Sequence, residues 1–251
     1  MTLVALEKRG STGIIALNNP PLNLLDLEFL KDLAAKMTEA GKGKGIKCLV
    51  ITGGENFSAG ANLKVFATMN NSKAGEFSKA GNATVNAMLS FKGPVVAAIN
   101  GYCIGGGLEL ALGCDLRIAN KKASFSQPEA KLGFIPGFGA TQILPRIVGE
   151  AKAKEMLFTA NSYNAKEAEA IGLVNKVVAG DALNEALKLC DVMNKRSRNA
   201  LALAKELIAD SSQMKLSEGM SKEKNLFASC FFTEDTKEGI RAFLEKREPR
   251  F

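Results

Sequence analysis

Residues 95–112 read VVAAINGYCIGGGLELAL, and this segment decides which fold and chemistry the chain can have. The apolar run 95–99 predicts a strand. Glycines 105–107 predict a turn that opens a helix, because glycine lets the backbone come close to a ligand. Free N–H groups and partial positive charge at such a helix end can hold an oxyanion. We therefore expect an anion-stabilising backbone turn here.

Glu109 lies in the first turn of this predicted helix, and its neighbours at 108 and 110–112 are apolar. The pattern predicts a buried helix. A buried carboxylate requires compensating partners or a chemical role. Two interpretations remain open: Glu109 caps free N–H groups at its own helix start, or it takes part in catalysis.

A second acid, Glu129, ends the sequence FSQPE (125–129), and the loop LGFIPGFG (132–139) follows. Pro128 restricts the backbone that enters Glu129. The loop is built on proline and glycine, yet it is too apolar for an ordinary surface loop. Loops on a rigid scaffold often carry chemistry, so we expect Glu109 and Glu129 to converge on one catalytic site.

The residue types and motifs that the sequence lacks exclude several classes of reaction. The sequence contains no histidine, which excludes Ser-His and Cys-His nucleophile pairs and a His-ligated metal. The glycine run fits neither the dinucleotide-binding nor the P-loop pattern, so hydride transfer and nucleotide hydrolysis are not expected. The cysteines are odd in number and form no C-x-x-C pair, which predicts reduced core thiols. They are Cys48, Cys103, Cys114, Cys190 and Cys230.

Length and composition predict a soluble cytoplasmic protein. The 251 residues are 46% apolar, enough for a sizeable core. We find no signal-peptide pattern, membrane-length apolar run or peroxisomal signal. The net charge of +7 would suit nucleic acid, an anionic membrane surface or a polyanionic small molecule. The densest basic stretch, GKGKGIK (41–47), lacks aromatic residues and is most simply a solvated link between a helix and a strand.

Strand and helix patterns alternate as far as about Val178. Residues 3–8 and 13–17 predict a strand pair, and Asp26 is the expected N-cap of the next helix. Beyond Asp181 the pattern is purely helical, with helices predicted at about 181–195, 197–211, 216–230 and 234–247.

The last predicted helix carries an apolar stripe. Ile240, Phe243 and Leu244 recur at helical spacing. We expect this stripe to pack on the core, and a contact between subunits is the alternative.

Several motifs, in this order, resemble the crotonase, or enoyl-CoA hydratase/isomerase, superfamily over nearly the whole chain. They are FSAGA (57–61), INGYCIGGGLEL (99–110), QPE (127–129), GFIPG (133–137) and EGIRAFLEKR (238–247). The resemblance implies an α/β fold, with a crotonase-like spiral of ββα units over residues 1–195 that carries an acyl-CoA site. A C-terminal helical trimerisation region would cover 196–251, in a homotrimer or a homohexamer built as a dimer of trimers.

The resemblance also implies roles for five residues. The N–H groups of Ala61 and Gly106 would form an oxyanion hole for the thioester oxygen, in agreement with the glycine turn. Glu109 would activate a water, which Gly137 helps to position through its backbone. Glu129 would deliver a proton to the α carbon.

Four more residues are implied to bind CoA. Leu63 and Lys64 match a loop on the adenine side, and a neighbouring subunit would supply Phe243 and Lys246. CoA is part of the substrate, and no separate cofactor or metal is expected. The positive net charge would then steer and hold the CoA phosphates.

The implied reaction is reversible hydration of a 2-enoyl-CoA thioester to a 3-hydroxyacyl-CoA. Acids at both positions favour hydration, since similar isomerases often keep the acid at 129 and not at 109. An enoyl-CoA isomerase and a hydratase of a cyclic dienoyl-CoA remain alternatives. An RNA-binding protein on the same scaffold, suggested by Lys42, Lys44 and Lys47, is a remote one.

Two positions depart from the family pattern. Asn62 stands where aspartate is common, and Ile143 stands where arginine is common. Neither change removes a proposed catalytic group. Four further side chains are candidates either for the wall of an acyl pocket or for the plain core: Phe66, Met69, Phe134 and Phe138.

Overall fold

Two sheets organise the chain in a computed structural model that describes residues 2–43 and 45–251. In this described part, the larger sheet has the strand order β1 (Val4–Arg9), β2 (Thr12–Leu17), β3 (Cys48–Thr52), β4 (Val95–Ile99), β6 (Leu116–Asn120) and β9 (Lys176–Val178). The smaller sheet has the order β5 (Tyr102–Ile104), β7 (Ser124–Ser126) and β8 (Tyr163–Asn164). The pairs β1–β2 and β7–β8 are antiparallel, and the other neighbours are parallel.

Helices connect these strands and then continue alone through the C-terminal part. They are α1 (Leu27–Lys42), α2 (Leu63–Phe66), α3 (Asn71–Leu89), α4 (Gly106–Leu112), α5 (Ala140–Val148), α6 (Glu150–Thr159), α7 (Ala165–Ala170), α8 (Ala182–Asn194), α9 (Arg198–Asp210), α10 (Leu216–Cys230) and α11 (Glu234–Leu244). A 3₁₀ helix covers Glu129–Leu132.

Strands β3 and β4 are buried at every position because both faces of the sheet are covered. On one face, Leu49 and Ile51 belong to the main core, which also contains side chains of α1, α3 and α4. On the other face, Val50 and Val96 pack with Ala186 of α8. Burial on both faces explains why these strands are continuous apolar runs instead of alternating ones.

The predicted local elements are largely confirmed. Strands β1 and β2 pair antiparallel, with Val4 opposite Leu17. Asp26 caps α1 by accepting a hydrogen bond from the N–H of Phe29 at 2.9 Å. The sequence patterns did not reveal β5, because a strand of three residues is too short for a periodic pattern. It is formed by parallel pairing with β7, where Cys103 lies opposite Phe125.

The four predicted C-terminal helices are present, but they pack differently. Helix α8 covers one face of the larger sheet, whereas α9 and α10 bury no residue. Lys205 connects α9 to the rest of the chain. Its Nζ lies 2.8 Å from the Asp115 carboxylate and 3.2 Å from the carbonyl oxygens of Met88 and Gly93. A boundary between residues 195 and 196 falls between α8 and α9. The division into two domains stays a prediction.

The expectation that the apolar stripe of α11 packs on the core is wrong. Ile240, Phe243 and Leu244 are 51%, 82% and 74% exposed, and α11 buries Ala242 instead. An apolar stripe shows that a helix face is suited to apolar contact, but it does not specify the partner.

The basic stretch at 41–47 joins α1 to β3, as predicted. Lys42 ends α1, and Lys44 lies outside the described residues. The Nζ of Lys47 donates to the carbonyl oxygens of Asn194 at 3.2 Å and Phe251 at 3.0 Å. The ammonium group of Lys47 therefore contacts its own chain.

All five cysteines are free thiols, and all but Cys230 are buried. The prediction of core thiols is confirmed for those four, while Cys230 is half-buried at the end of α10. Across residues 2–43 and 45–251, we find no helix with the length and apolar character needed to cross a membrane.

Candidate active site

Helix α4 begins directly after a glycine turn at the end of β5. Gly105 has a φ of 53°, a left-handed conformation that glycine adopts without steric cost. A Cβ atom at this position would lie 3.1 Å from Oε1 of Glu129. The N–H of Gly106, the first residue of α4, has no acceptor in the described part of the chain. The turn thus presents a free N–H group beside an acidic side chain.

The segment that ends at Ala61 lies against β5, where a parallel bridge joins Ser58 to Cys103. Gly107 allows α4 to approach this segment, since a Cβ atom there would lie 2.4 Å from the carbonyl oxygen of Ser58. Among the described residues, the N–H of Ala61 has no acceptor. Ala61 and Gly106 line the same two cavities, so the two residues with free N–H groups border the same space.

Glu109 is 3% exposed, and its carboxylate accepts hydrogen bonds from three backbone N–H groups of a distant segment. Its Oε1 lies 2.7 Å from the N of Phe138 and 3.0 Å from the N of Ala140. Its Oε2 lies 3.3 Å from the N of Gly137. Ala140 is the first residue of α5, so Glu109 meets the positive end of that helix. The interpretation that Glu109 caps its own helix is wrong.

Two opposing effects set the proton affinity of Glu109. Burial raises the pKa of its carboxyl group, and the backbone N–H groups of Ala140, Phe138 and Gly137 partly offset this by stabilising the charged form. The net result is a pKa of Glu109 above the ordinary value for a glutamate. A carboxylate that is buried yet held by three donors is well suited to act as a general base.

Glu129 has a different environment at the start of the 3₁₀ helix. It is 6% exposed, and its Oε2 is buried without a hydrogen-bond partner in the described part of the chain. Burial raises the pKa of Glu129 to about 7, and the charge of Glu109 adds to the effect. Near neutral pH a large share of this carboxyl group is protonated, which suits a general acid.

The raised pKa of Glu129 predicts a pH-dependent cost to stability. The folded-state pKa of about 7 exceeds the ordinary 4.5, so the folded protein binds this proton more tightly than the unfolded chain. Stability is therefore lost as the pH rises from 4.5 to about 7. We expect Glu129→Gln to melt at a higher temperature than the wild type at about pH 8, with a much smaller difference at about pH 5. Calorimetry at both pH values measures this, and an equal difference at both would contradict it.

Two cavities of about 500 Å³ each share Ala61, Gly106, Glu129 and Phe134. The first, which we call the glutamate cavity, contains both Glu109 and Glu129. The rest of its wall is mainly apolar, with Phe66, Met69, Ala74, Phe77, Phe134 and Phe138, and it includes the polar residues Asn70, Asn71 and Ser78. The second, which we call the Leu63 cavity, extends past the loop at 59–62 to Leu63 and Lys64.

All four apolar candidates from the sequence line the glutamate cavity. Their phenylalanine rings form a connected cluster with Phe77. The ring centroids of Phe66 and Phe77 are 4.9 Å apart, those of Phe66 and Phe134 are 5.8 Å apart, and those of Phe77 and Phe138 are 5.1 Å apart. Phe138 is 2% exposed and so belongs to both the core and the cavity wall. The wall suits an apolar ligand.

The candidate CoA-binding residues fall into two groups. Leu63 and Lys64 are exposed and line the Leu63 cavity. Phe243 and Lys246 are exposed at the end of α11, and neither lines the glutamate cavity or the Leu63 cavity. The structure of one chain does not bring this second pair to the site.

The two departures from the family pattern have local roles. The side chain of Asn62 accepts a hydrogen bond from the N–H of Lys64 at 3.2 Å and so caps α2, as an aspartate would. Ile143 is half-buried on α5 and packs against the main core. It lines neither cavity.

Sequence reasoning missed two polar residues of α3 that contact the site. Ser78 Oγ and Asn82 Nδ2 each lie 2.7 Å from the carbonyl oxygen of Gly137. Two small polar residues four positions apart on a helix form no sequence motif that indicates a site. Their contact partner, Gly137, is more than 50 residues further along the chain, so only the folded structure identifies it.

Comparisons with known proteins identify the family of this chain. A family model described as enoyl-CoA hydratase/isomerase matches residues 7–251. The chain belongs to this family. A crotonyl-CoA hydratase of Syntrophomonas wolfei is 39% identical over 252 residues, covering 99% of this chain and 97% of the relative. A short-chain-enoyl-CoA hydratase of Clostridium acetobutylicum is 37% identical, covering 98% of this chain and 95% of that protein.

Solved structures show the same architecture. An enoyl-CoA hydratase from Bacillus anthracis superposes with a TM-score of 0.95 at 35% identity, covering 99% of this chain and 98% of the other. DspI of Pseudomonas aeruginosa gives a TM-score of 0.96 at 38% identity, covering 100% and 97%. The predicted α/β crotonase fold is confirmed.

Proposed function

We propose that this member of the enoyl-CoA hydratase/isomerase family reversibly hydrates a 2-enoyl-CoA thioester to a 3-hydroxyacyl-CoA. One observation carries the proposal: two carboxyl groups in different environments face the same cavity as two free backbone N–H groups. Glu109 is held by three donors, whereas Oε2 of Glu129 is buried without a partner among the described residues. The names of relatives such as the crotonyl-CoA hydratase of Syntrophomonas wolfei support the same reaction.

The free N–H groups of Ala61 and Gly106 form the proposed oxyanion hole. Attack at the β carbon of an enoyl thioester moves an electron pair onto the carbonyl oxygen, giving an enolate. Two fixed donors and the N-terminus of α4 stabilise this charge as it develops, and one such donor contributes about 3 kcal/mol.

Glu109 and Glu129 divide the proton transfers. Glu109 takes a proton from water as the water oxygen bonds to the β carbon, and Gly137 helps to position that water through its backbone. Glu129 then delivers its proton to the α carbon as the enolate returns to a thioester. The raised pKa of Glu129 supplies the protonated form needed at neutral pH. CoA enters with the substrate, and the proposed step uses no separate cofactor or metal.

We propose that the two cavities take the two ends of such a substrate. The apolar wall of the glutamate cavity fits the acyl chain. The Leu63 cavity fits CoA, with Lys64 near its anionic groups. We further propose that Phe243 and Lys246 complete the CoA site from a neighbouring subunit in a homotrimer or homohexamer. The exposed apolar side chains of the C-terminal region, including Ile208, Leu216, Phe227, Phe232 and Phe243, support this assembly.

A panel of thioesters tests the reaction. Purified protein is incubated with crotonyl-CoA, a 3-enoyl-CoA and a cyclic dienoyl-CoA, and enoyl absorbance and product mass are followed together. We expect crotonyl-CoA to gain the mass of one water. An unchanged mass with a shifted double bond would make the protein an isomerase, and hydration of the cyclic substrate alone would make it a dienoyl-CoA hydratase. Turnover of none of them would refute the proposal.

A further inference from the structure

One peptide unit connects helix α3 to the carboxylate of Glu109. This unit joins Gly137 to Phe138 and contains the carbonyl of the first and the N–H of the second. The N–H donates to Oε1 of Glu109 at 2.7 Å. The carbonyl oxygen accepts from Ser78 Oγ and from Asn82 Nδ2, both at 2.7 Å. Because a peptide unit is planar, donors that hold its carbonyl also fix the direction of its N–H.

The face of α3 that meets this peptide is shaped for the contact. Ser78 and Asn82 are four residues apart and lie on the same side of the helix. Asn82 Nδ2 also donates to the carbonyl oxygen of Ser78 at 2.9 Å, which orients the amide. Gly81 lies between them, and a Cβ atom there would fall 2.0 Å from Cδ1 of Phe138. A larger residue at 81 would displace the Phe138 ring and prevent the close approach of α3 to the Gly137–Phe138 peptide.

We propose that Ser78 and Asn82 are positioning residues that hold the Gly137–Phe138 peptide with its N–H directed at Glu109. Donors on a carbonyl polarise the whole peptide and strengthen its N–H as a donor. A hydrogen bond to an ionised carboxylate is among the stronger ones in proteins. The stronger N–H donor therefore stabilises the ionised form of Glu109 more than the protonated form. The inference rests on the proposed function, in which ionised Glu109 is the base.

The contact can be removed with little damage to the fold. Asn82 is exposed and Ser78 is half-buried, so neither is part of the apolar core. Asn86 provides a matched control: it is one turn further along α3, is exposed, and makes no side-chain hydrogen bond among the described residues. Besides Glu109, the titratable side chain on the described wall of the glutamate cavity is Glu129.

The test compares Ser78→Ala, Asn82→Ala, their double variant and Asn86→Ala. For hydration of crotonyl-CoA, the acid limb of the kcat/KM profile reports the proton affinity of the free base. We expect the double variant to move this limb upward by about half to one pH unit, since part of one charge-assisted hydrogen bond is lost. Each single variant should move it less, and Asn86→Ala should leave it unchanged. The ¹³C signal of the Glu109 carboxyl, assigned by its loss in Glu109→Gln, should titrate with the same shift.

A purely structural role for Ser78 and Asn82 gives a different result. It would lower kcat/KM equally at all pH values and leave the ¹³C titration of Glu109 in place, and this outcome overturns the proposal. If the wild type turns over no thioester, the proposed function fails. The ¹³C titration still decides the inference in that case, because a shift in the double variant supports it and an unchanged titration overturns it.

Discussion

Replacing Glu109 or Glu129 by glutamine is expected to lower kcat for hydration by about 10²–10⁴-fold, the usual contribution of a positioned acid or base. Glutamine keeps the length of the side chain, and at 109 it keeps one acceptor oxygen for the N–H groups of Phe138 and Ala140. Both variants should therefore remain folded and still bind acyl-CoA. Steady-state hydration of crotonyl-CoA and binding of a saturated acyl-CoA measure the two properties separately.

The two variants should differ in a second reaction. A saturated thioester such as butyryl-CoA has no double bond to hydrate, but its α proton exchanges with D₂O if a base removes it and the oxyanion hole holds the enolate. Glu129 faces the α carbon in the proposed mechanism, so Glu129→Gln should lose this exchange. Glu109→Gln should retain most of it. Mass spectrometry of the recovered butyryl-CoA reads the difference.

The matched control is Glu76→Gln, the same change at an exposed position of α3. It should hydrate crotonyl-CoA at the wild-type rate. Wild-type activity in either Glu109→Gln or Glu129→Gln would refute the two-acid mechanism. Loss of exchange in both variants would show that the two carboxyl groups do not have separate roles.

Gly107→Ala is expected to reduce hydration by about 10²-fold, because small misplacements of catalytic groups are costly. A Cβ atom at 107 would lie 2.4 Å from the carbonyl oxygen of Ser58 and 3.0 Å from its carbonyl carbon. These are backbone atoms that no side-chain rotation can move. Helix α4 must shift away from the segment that carries Ala61, and the two donors of the proposed oxyanion hole separate. We expect overpacking to cost about 1–3 kcal/mol of stability as well.

Gly75→Ala is the matched control for this change. It lies on α3, is exposed, and an added Cβ atom there meets nothing within 4 Å. Alanine at such a helical position should stabilise the protein by about 0.5–1 kcal/mol and leave hydration unchanged. Kinetics and denaturant unfolding are measured on both variants. A Gly107→Ala protein with the activity of Gly75→Ala would contradict the proposed arrangement of the two N–H groups.

Much of the local structure is predictable because it depends on residues close in sequence. Asp26 caps α1 three residues away, and the glycines at 105–107 form the turn that opens α4. The four C-terminal helices follow from apolar spacing over one or two turns. The motifs around Glu109 and Glu129 indicated the family, which the family model and the relatives confirm.

The partners of the same residues were not predictable from the sequence. Glu109 is held by backbone groups 28 to 31 residues further along the chain. Asn82 reaches the carbonyl of Gly137 across 55 positions. Backbone N–H and carbonyl groups are the same at every residue except proline, so sequence carries no sign of which of them a side chain will meet. The stripe of α11 shows the same limit, since its apolar pattern did not reveal that this face stays exposed on the single chain.

The sequence by itself determined most of the helices and longer strands, the family, the absence of histidine chemistry and the pair of glutamates. Tertiary structure decided how those glutamates differ. Both are buried carboxylates, yet the 137–140 segment gives three donors to Glu109 and none to Oε2 of Glu129. Hydrogen bonds to the charged form and desolvation act in opposite directions on a carboxyl group, and both depend on what the fold places within about 3 Å of its oxygens.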